Sequence, residues 1–296
     1  MKLANYEKDG LIRAGIVKGD RIYDIAQAAE GAGVARLRSV SSVDQLLDDS
    51  LIDALRRAEA KLTAGKGEAL KSVKLKSPVQ FPEKIFMVAV NYGSHGKETH
   101  TPAPPYPYLF TKFRNALIGP DDAILAPKSS KKVDWEVELA VVIGKEGKNI
   151  KKEKAYEYVA GYTISNDISF RDFQGQKNES LGLNWVKGKG MDASFPLGPW
   201  LVTRDEIGDP HSLRISLTVN GKQKQGSNTK EMMIKVDELV AYASIGTTLR
   251  PGDIISTGTP EGIAAATGEP FLKAGDVVEA KIEKIGTLRN PVKAET

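Results

Sequence analysis

The sequence predicts a β-rich α+β fold, in which a mixed β-roll or sandwich domain follows a small N-terminal α+β domain. Apolar residues occupy every second position from 213 to 219, and Asn220-Gly221 follows them. This pattern predicts a strand entering a type I′ hairpin, because Asn and Gly tolerate the positive φ of that turn. Segments 249–255 and 272–278 both run Leu-x-x-Gly-Asp before two apolar residues, which predicts a tight turn leading into a strand. Such short strands favour a roll or sandwich over a doubly wound sheet.

Residues 1–75 are predicted to form the small domain. Segments 11–17 and 21–25 have the composition of short strands, with a Gly-Asp turn between them. Segment 43–62 predicts a helix, because its apolar residues recur at three- and four-residue spacings. The polar segment 63–79 contains Gly and Pro and is predicted to be a linker.

The second domain is predicted to cover residues 76–296. Its helices are expected to be few and short, at 151–158 and 236–244. Segment 133–144, VDWEVELAVVIG, is predicted to be one continuous strand, with its odd-numbered apolar residues on one face.

Composition excludes several classes of function. The 42 basic and 38 acidic residues are interspersed and leave a net charge of only +4, which suits small anions better than nucleic acid. The absence of cysteine excludes disulfides, thiolate nucleophiles and cysteine-based zinc sites. No apolar run approaches the roughly 18 residues that span a bilayer, and the N-terminus does not resemble a signal peptide. We therefore expect a cytoplasmic protein without membrane or nucleic-acid partners.

Two glutamates in segment 133–144 are candidate metal ligands. On a strand, Asp134, Glu136 and Glu138 share one face with Ala140 and Val142. Neighbours on one face are about 7 Å apart, so two carboxylates can converge on one cation. The alternative interpretation is the solvated face of an edge strand, although two apolar residues continue the same face.

Asp167 is the third candidate ligand. It lies in a β-like run with apolar neighbours, and a buried carboxylate requires a cation or several donors. The alternative is that Asp167 caps a local turn. Spacing alone leaves Asp134, Asp172 and Asp192 open as further ligands. Three oxygen donors without His or Cys select a hard cation, so we predict Mg²⁺, with Mn²⁺ or Ca²⁺ as alternatives.

A histidine and a lysine are the candidate catalytic groups. If segment 91–98 is helical, His95 and Glu98 lie on one face at i, i+3, and the carboxylate can orient the imidazole. A solvated helix start is the alternative, and His100 and His211 are expected on the surface. Lys189 has glycine on both sides, with Trp185 and Met191 suggesting a partly apolar setting. The polar loop 256–262, STGTPEG, offers backbone amides and hydroxyls to an anion, or forms a tight turn.

Several segments, taken in order, resemble the fumarylacetoacetate hydrolase superfamily. The resemblance spans roughly residues 81–290 and is weaker over 1–75. The matching segments are NYGSHGKE (91–98), YLFTK (108–112), VDWEVELAVVIGK (133–145), GYTISNDISFRDFQ (161–174), WVKGKGMDASFPLGPWLV (185–202), VNGKQKQGSNT (219–229), TLRPGDIISTGTPEGI (248–263) and IGTLRN (285–290).

The resemblance implies a mixed β-roll catalytic domain that forms a homodimer and acts on a small 2-oxo acid. It implies the following roles: Glu136, Glu138 and Asp167 as metal ligands, His95, Glu98 and Lys189 as catalytic groups, and Arg171, Gln174 and Thr259 as substrate contacts. The leading predicted activity is metal-dependent hydrolysis of a C–C bond in an acylpyruvate or fumarylpyruvate type of acid. Alternatives are an oxaloacetate-type decarboxylase, a 2-hydroxyhepta-2,4-diene-1,7-dioate-type isomerase, or a non-catalytic metal- or anion-binding protein.

Three positions depart from the family pattern. Ala89 replaces a usual glycine before Asn91-Tyr92, Gly190 replaces a frequent serine after Lys189, and residues 263–267 replace a glycine-rich run. These changes concern the identity of the substrate rather than the metal.

Overall fold

The computed structural model describes residues 1–31, 33–47, 49–64, 66–102, 104–176, 180 and 182–295. Its strands are β1 (Lys2–Lys8), β2 (Leu11–Lys18), β3 (Arg21–Asp24), β4 (Glu68–Ala69), β5 (Lys74–Lys76), β6 (Ile85–Ala89), β7 (Tyr108–Thr111), β8 (Leu117–Ile118), β9 (Ile124–Ala126), β10 (Val133–Asp134), β11 (Val137–Ile143), β12 (Val159–Asn166), β13 (Ser169–Phe170), β14 (Phe195–Thr203), β15 (Arg214–Val219), β16 (Lys222–Asn228), β17 (Ile254–Ser256), β18 (Val277–Ile282) and β19 (Gly286–Ala294).

The α-helices of the described residues are short apart from α2. They are α1 (Ile25–Gly31), α2 (Asp49–Leu62), α3 (Gly93–Glu98), α4 (Arg171–Gln174), α5 (Trp185–Lys189), α6 (Arg204–Ile207), α7 (Val236–Ala243) and α8 (Ala264–Thr267). Turns of 3₁₀-helix lie at Ala35–Leu37, Val43–Leu46, Leu70–Ser72, Arg114–Ala116, Lys152–Tyr158 and Thr229–Glu231. None of the helices formed by these residues is long and apolar enough to cross a membrane.

Two sheets form the body of the fold, as the prediction of a β-rich α+β roll or sandwich requires. The larger sheet has the order β4-β3-β2-β1-β14-β12-β11-β17-β6-β7, with β5 on β1 and β8 on β14. The smaller sheet has the order β16-β15-β18-β19-β9. The predicted hairpin joins β15 to β16, and Asn220 and Gly221 have φ of 51° and 75°, as a type I′ turn requires.

The N-terminal strands continue the larger sheet. Strand β1, which the sequence did not predict, pairs with β14 through Lys2 and Leu3. The segment 63–79 was predicted to be a linker, and this prediction is wrong, because β4 and β5 lie in it and pair with β3 and β1. Their backbone groups obtain hydrogen bonds from strands distant in sequence, which local composition does not reveal. The boundary between residues 75 and 76 stays a prediction.

Strand β11 lies in the middle of the larger sheet, between β12 and β17. The predicted alternation is confirmed. Val137, Leu139 and Val141 pack in the core shared with the smaller sheet, whereas Ala140 and Val142 pack in the core shared with the N-terminal helices. Both faces are therefore buried, and the interpretation of a solvated edge strand is wrong.

The predicted continuous strand 133–144 is interrupted at Trp135 and Glu136. The Glu136 amide donates to the side-chain oxygen of Asn166 at 2.9 Å, and the Val137 amide donates to that of Gln225 at 2.9 Å. Because side chains replace the strand partners here, the backbone leaves the ladder without losing hydrogen bonds. The interruption therefore contains the candidate ligand Glu136, and a single residue separates it from Glu138 on β11.

Candidate active site

Three carboxylates converge where β11 begins and β12 ends. Glu136, Glu138 and Asp167 offer oxygen atoms that all lie within 4.8 Å of one another, and all three residues are buried. Glu138 is on β11, Glu136 precedes that strand, and Asp167 follows β12. The Asp167 amide donates to the carbonyl oxygen of Glu136 at 2.8 Å, which ties the two chain segments together.

The electrostatics of this cluster suit a cation. Burial, followed by the charges of Asp167 and Glu136, raises the pKa of Glu138 well above its usual value. Asp167 Oδ1 is buried and has no hydrogen-bond partner among the described residues, although Lys112 Nζ lies 3.0 Å away. Crowded, incompletely satisfied carboxylate oxygens are expensive to bury. Their hard oxygen donors fit a divalent cation such as Mg²⁺ or Mn²⁺.

The other carboxylates that sequence left open lie outside this cluster. Asp134 accepts from Arg171 Nε at 2.8 Å and from the backbone amides that begin α8. Asp172 accepts from Ser130 and the Lys131 amide, and Asp192 accepts from Asn115. Each is satisfied by protein donors, so none is needed to complete the triad.

Two cations compensate the carboxylates. Lys189 Nζ donates to Glu136 Oε2 and Asp167 Oδ2, at 2.7 Å each. Arg171 bridges Asp134, Glu136 and Gln174. Although burial acts to raise the pKa of Glu136, the charges of Lys189 and Arg171 hold it below the usual range. Burial acts to lower the pKa of Lys189, but Asp167 and Glu136 raise it overall, so its ammonium form is favoured.

Glycine allows Lys189 to approach the cluster. A Cβ atom on Gly188 would lie 2.5 Å from Cβ of Gln174, so α5 packs against α4 only when residue 188 lacks a side chain. The close packing of these two short helices places Lys189 next to the residues of α4. Gly188 is therefore required for this packing.

His95 and Glu98 form the expected pair on α3. His95 Nδ1 lies 2.9 Å from Glu98 Oε1, and the Gly262 amide donates to Glu98 Oε2 at 2.9 Å. His100 is exposed, as expected. The prediction that His211 lies on the surface is wrong. Its side chain is only 16% exposed, and Nε2 accepts from the Val236 amide that begins α7.

The loop 256–262 donates hydrogen bonds to carboxylates of the site itself. Ser256 Oγ donates to Glu138 Oε2 at 2.5 Å, and the Gly258 amide donates to the same oxygen at 2.9 Å. Gly262 has φ of 103°, and a Cβ there would overlap the Lys224 carbonyl oxygen. The amides and hydroxyls that the sequence offered to an anion therefore orient two glutamates of the protein.

Thr259 is anchored in the same loop. Its hydroxyl donates to the Val137 carbonyl oxygen and accepts from Gln225 Nε2, at 2.9 Å each. Gln225 also accepts from the Val137 amide, so one buried carboxamide positions both the loop and the start of β11. Sequence reasoning missed Gln225, because nothing in a polar strand distinguishes the one residue that points inward.

Lys112 is the most informative residue that the sequence prediction missed. It is 2% exposed, and its ammonium donates to the carbonyl oxygens of Ile168, Lys189 and Ser194. Burial lowers its pKa to about 8, against the opposing charge of Asp167. Lys112 thereby joins the chain that follows Asp167 to the end of α5. The sequence offered one indication of its importance: Lys112 ends the YLFTK segment, which is among the segments that resemble the family.

Replacing Lys112 by Met should destabilise the fold. The substitution removes a buried ammonium that donates to three carbonyl oxygens and lies beside Asp167 Oδ1. Removing one partner of a buried charge pair costs about 3–5 kcal/mol. Denaturant unfolding measures this loss. Lys230→Met, at a side chain that is 69% exposed, is the control and should change stability little. A loss below about 1 kcal/mol for Lys112→Met would contradict the proposed anchoring.

Eight of the nine predicted site residues line one cavity of about 420 Å³. The ninth, Glu98, contacts His95, which lines the cavity. Aromatic residues line the same cavity, among them Tyr108, Phe110 and Trp185. A pocket of this size with a few convergent polar groups is typical of small-molecule sites. The arrangement can hold an anion, move a proton and stabilise negative charge.

A mixed β-roll in which one cavity brings together a carboxylate triad, a His–Glu pair and a buried lysine has the form of an enzyme with a small-molecule site. The family profile for the fumarylacetoacetate (FAA) hydrolase C-terminal domain matches residues 84–293. The chain belongs to the fumarylacetoacetate hydrolase family, and it is an enzyme of the hydrolase, decarboxylase or isomerase type found there.

Relatives of known name agree with this assignment. The mitochondrial oxaloacetate tautomerase of Xenopus laevis is 46% identical over 241 residues, which cover 81% of this chain and 75% of that protein. The structure of maleylpyruvate hydrolase from Sphingobium sp. SYK-6, in complex with manganese(II) and pyruvate, is 32% identical, covers both chains fully and has a TM-score of 0.81. The 2-hydroxyhepta-2,4-diene-1,7-dioate isomerase of Mycobacterium marinum is 30% identical, with a TM-score of 0.75 and coverage of 100% and 99%.

Proposed function

We propose that this enzyme interconverts the keto and enol forms of a small 2-oxo acid of the oxaloacetate type. The observation that carries the proposal is the His95–Glu98 pair facing the cavity that holds Lys189 and the carboxylate triad. The named relatives support oxaloacetate chemistry. They favour the alternative prediction, an enzyme acting on an oxaloacetate-type acid, over hydrolysis of a C–C bond.

Tautomerisation requires one proton to leave oxygen and another to reach carbon. In the direction of the ketone, the enol O–H proton leaves, the C2–O bond becomes double, and C3 accepts a proton. Because Glu98 engages Nδ1 of His95, Nε2 is the nitrogen that would exchange the proton with substrate. Lys189 would donate to the 2-oxygen, where negative charge develops between the two transfers.

Glu136, Glu138 and Asp167 are the residues that would hold a divalent cation, for which we propose Mg²⁺, with Mn²⁺ or Ca²⁺ as alternatives. When bound, such a cation acts as a Lewis acid that polarises a carbonyl oxygen. Arg171, Gln174 and Thr259 would contact the substrate, and Arg171 also holds Glu136 in place. Decarboxylation of the same acid develops charge at the same oxygen, so this geometry also supports it.

Hydrolysis of an acylpyruvate is the second candidate. The similarity to maleylpyruvate hydrolase favours it, and His95 is placed to activate a water molecule instead of exchanging a proton with carbon. Comparison of two reactions separates the candidates. A tautomerase ketonises enol-oxaloacetate without producing pyruvate from an acylpyruvate, whereas a hydrolase releases pyruvate.

Replacing His95 by Ala should reduce kcat/KM for ketonisation of enol-oxaloacetate by about 10²–10⁴-fold, the usual contribution of general acid–base catalysis. The loss of enol absorbance measures the reaction. His100→Ala is the matched control, because His100 lies two residues after α3 and is exposed. Wild-type activity in His95→Ala would refute its role in proton transfer.

We also propose a homodimer in the cytoplasm. The family resemblance supports the dimer, and light scattering on the purified protein would test it. Some relatives are named as mitochondrial, so localisation is a separate question, which imaging of a tagged chain would answer.

A further inference from the structure

We propose that the active site also accepts 2-oxo acids that carry a flat aromatic group on C3, the arylpyruvates, that it binds them more tightly than pyruvate, and that Trp185 determines this preference. The inference rests on the proposed function and adds a class of substrate at the same site. It depends on the aromatic residues that line the cavity.

A row of aromatic rings leads outward from Lys189. Lys189 Nζ lies 5.5 Å from the centre of the Phe110 ring. The Phe110 and Trp185 rings are stacked with centres 4.7 Å apart, and the Trp185 and Tyr108 rings are 5.8 Å apart. Tyr108 is 45% exposed, so the row runs from the buried lysine to the rim of the cavity.

Other apolar residues continue this surface. Val88, Pro102, Pro104, Leu183 and Ile263 also line the cavity. A cavity of about 420 Å³ is large enough for a ligand much bigger than a four-carbon acid. With the 2-oxo acid head at the triad, the group on C3 has the aromatic row to lie against.

The cationic side chains among the described lining residues are His95, Arg171 and Lys189. His95 pairs with Glu98, Arg171 with Asp134 and Glu136, and Lys189 with Glu136 and Asp167. A phenyl ring on C3 needs no ion partner, and it would stack on Trp185.

The reaction with an arylpyruvate is the same proton exchange as with oxaloacetate. The enol O–H proton leaves, the C2–O bond becomes double, and C3 gains a proton, so no further reactant is required. Trp185 touches only the substituent and would act on specificity rather than on the transfer itself.

The test compares binding of pyruvate and phenylpyruvate, which share a head group and differ by the ring. With excess Mn²⁺, calorimetry on the wild-type protein should give a Kd for phenylpyruvate about tenfold lower than that for pyruvate. Trp185→Ala should lose this preference, and Trp185→Phe should retain most of it. Phe81→Ala removes an aromatic side chain that is 64% exposed and outside the cavity, and it should retain the preference fully.

Turnover separates this inference from the proposed function. The wild type should ketonise both enol-phenylpyruvate and enol-oxaloacetate, and Trp185→Ala should lose about tenfold in kcat/KM for the former only. Equal Kd values in the wild type, or a preference that survives in Trp185→Ala, would overturn the inference even if oxaloacetate is ketonised. If neither enol is ketonised while the binding preference follows Trp185, the proposed function fails and the aromatic specificity stands.

Discussion

Replacing Glu138 by Gln should reduce the affinity for Mn²⁺ or Mg²⁺ by more than about 100-fold. Mutation of a residue that only hydrogen-bonds to a metal ligand already lowers metal affinity by about 10–100-fold, and loss of a ligand itself should cost more. Activity at limiting metal should fall at least as far. The substitution keeps the shape of the side chain, and a carboxamide oxygen can still accept from Ser256 and the Gly258 amide. Calorimetric titration with Mn²⁺ measures the affinity, and the same assay after chelation measures the activity.

Stability gives an independent check on Glu138→Gln. Without metal, the variant should be at least as stable as the wild type, because burial and two neighbouring carboxylates already disfavour ionised Glu138. Mn²⁺ at about 100 times the wild-type Kd should stabilise the wild type by about 2.7 kcal/mol and the variant by less than about 0.4 kcal/mol. Glu146→Gln, at a side chain that is 64% exposed, is the control. Unchanged Mn²⁺ affinity in Glu138→Gln would show that Glu138 is not a ligand.

Replacing Lys189 by Met should reduce kcat/KM by about 10²–10³-fold while raising the affinity for Mn²⁺. Activity falls because a hydrogen-bond donor to the developing negative charge is lost. Loss of one such donor from an oxyanion hole typically lowers the rate by about 10²–10³-fold. Affinity rises because Lys189 donates to Glu136 and Asp167, and its charge opposes a second cation at the same carboxylates. Lys187→Met, on the same helix but exposed, should leave both quantities unchanged.

Opposite changes in metal affinity distinguish a metal ligand such as Glu138 from a charge-stabilising residue such as Lys189. A ligand variant loses metal and activity together, whereas Lys189→Met should lose activity with metal bound more tightly. If Lys189→Met weakened Mn²⁺ binding, Lys189 would serve to hold the carboxylates in place, and its assigned role in charge stabilisation would be wrong.

Local sequence was sufficient wherever the physical cause is local. The i, i+3 spacing of His95 and Glu98 brings them together on any helix, and the structure places them 2.9 Å apart. Asn220 and Gly221 adopt the positive φ that a type I′ turn needs. The alternation in β11 predicted which residues share each face, because the side-chain period of a strand is two.

Other features depend on contacts between distant segments. The break before β11 exists because Asn166 and Gln225 accept from the amides of Glu136 and Val137. Lys112 is buried because the chain around Ile168 and Lys189 surrounds it. The sequence does not distinguish a buried lysine from an exposed one, because the residue type is the same in both cases.

The sequence by itself therefore determined the β-rich class, the family, the His–Glu pair and the acidic residues available for a metal. Only the tertiary structure decided that Glu136, Glu138 and Asp167 converge, and that Asp134 is instead held by Arg171 and α8. It also decided that aromatic rings line the same cavity. The physical reason is that pairing across the sheet, not spacing along the chain, sets the distances between these side chains. Burial among those neighbours then sets their charges.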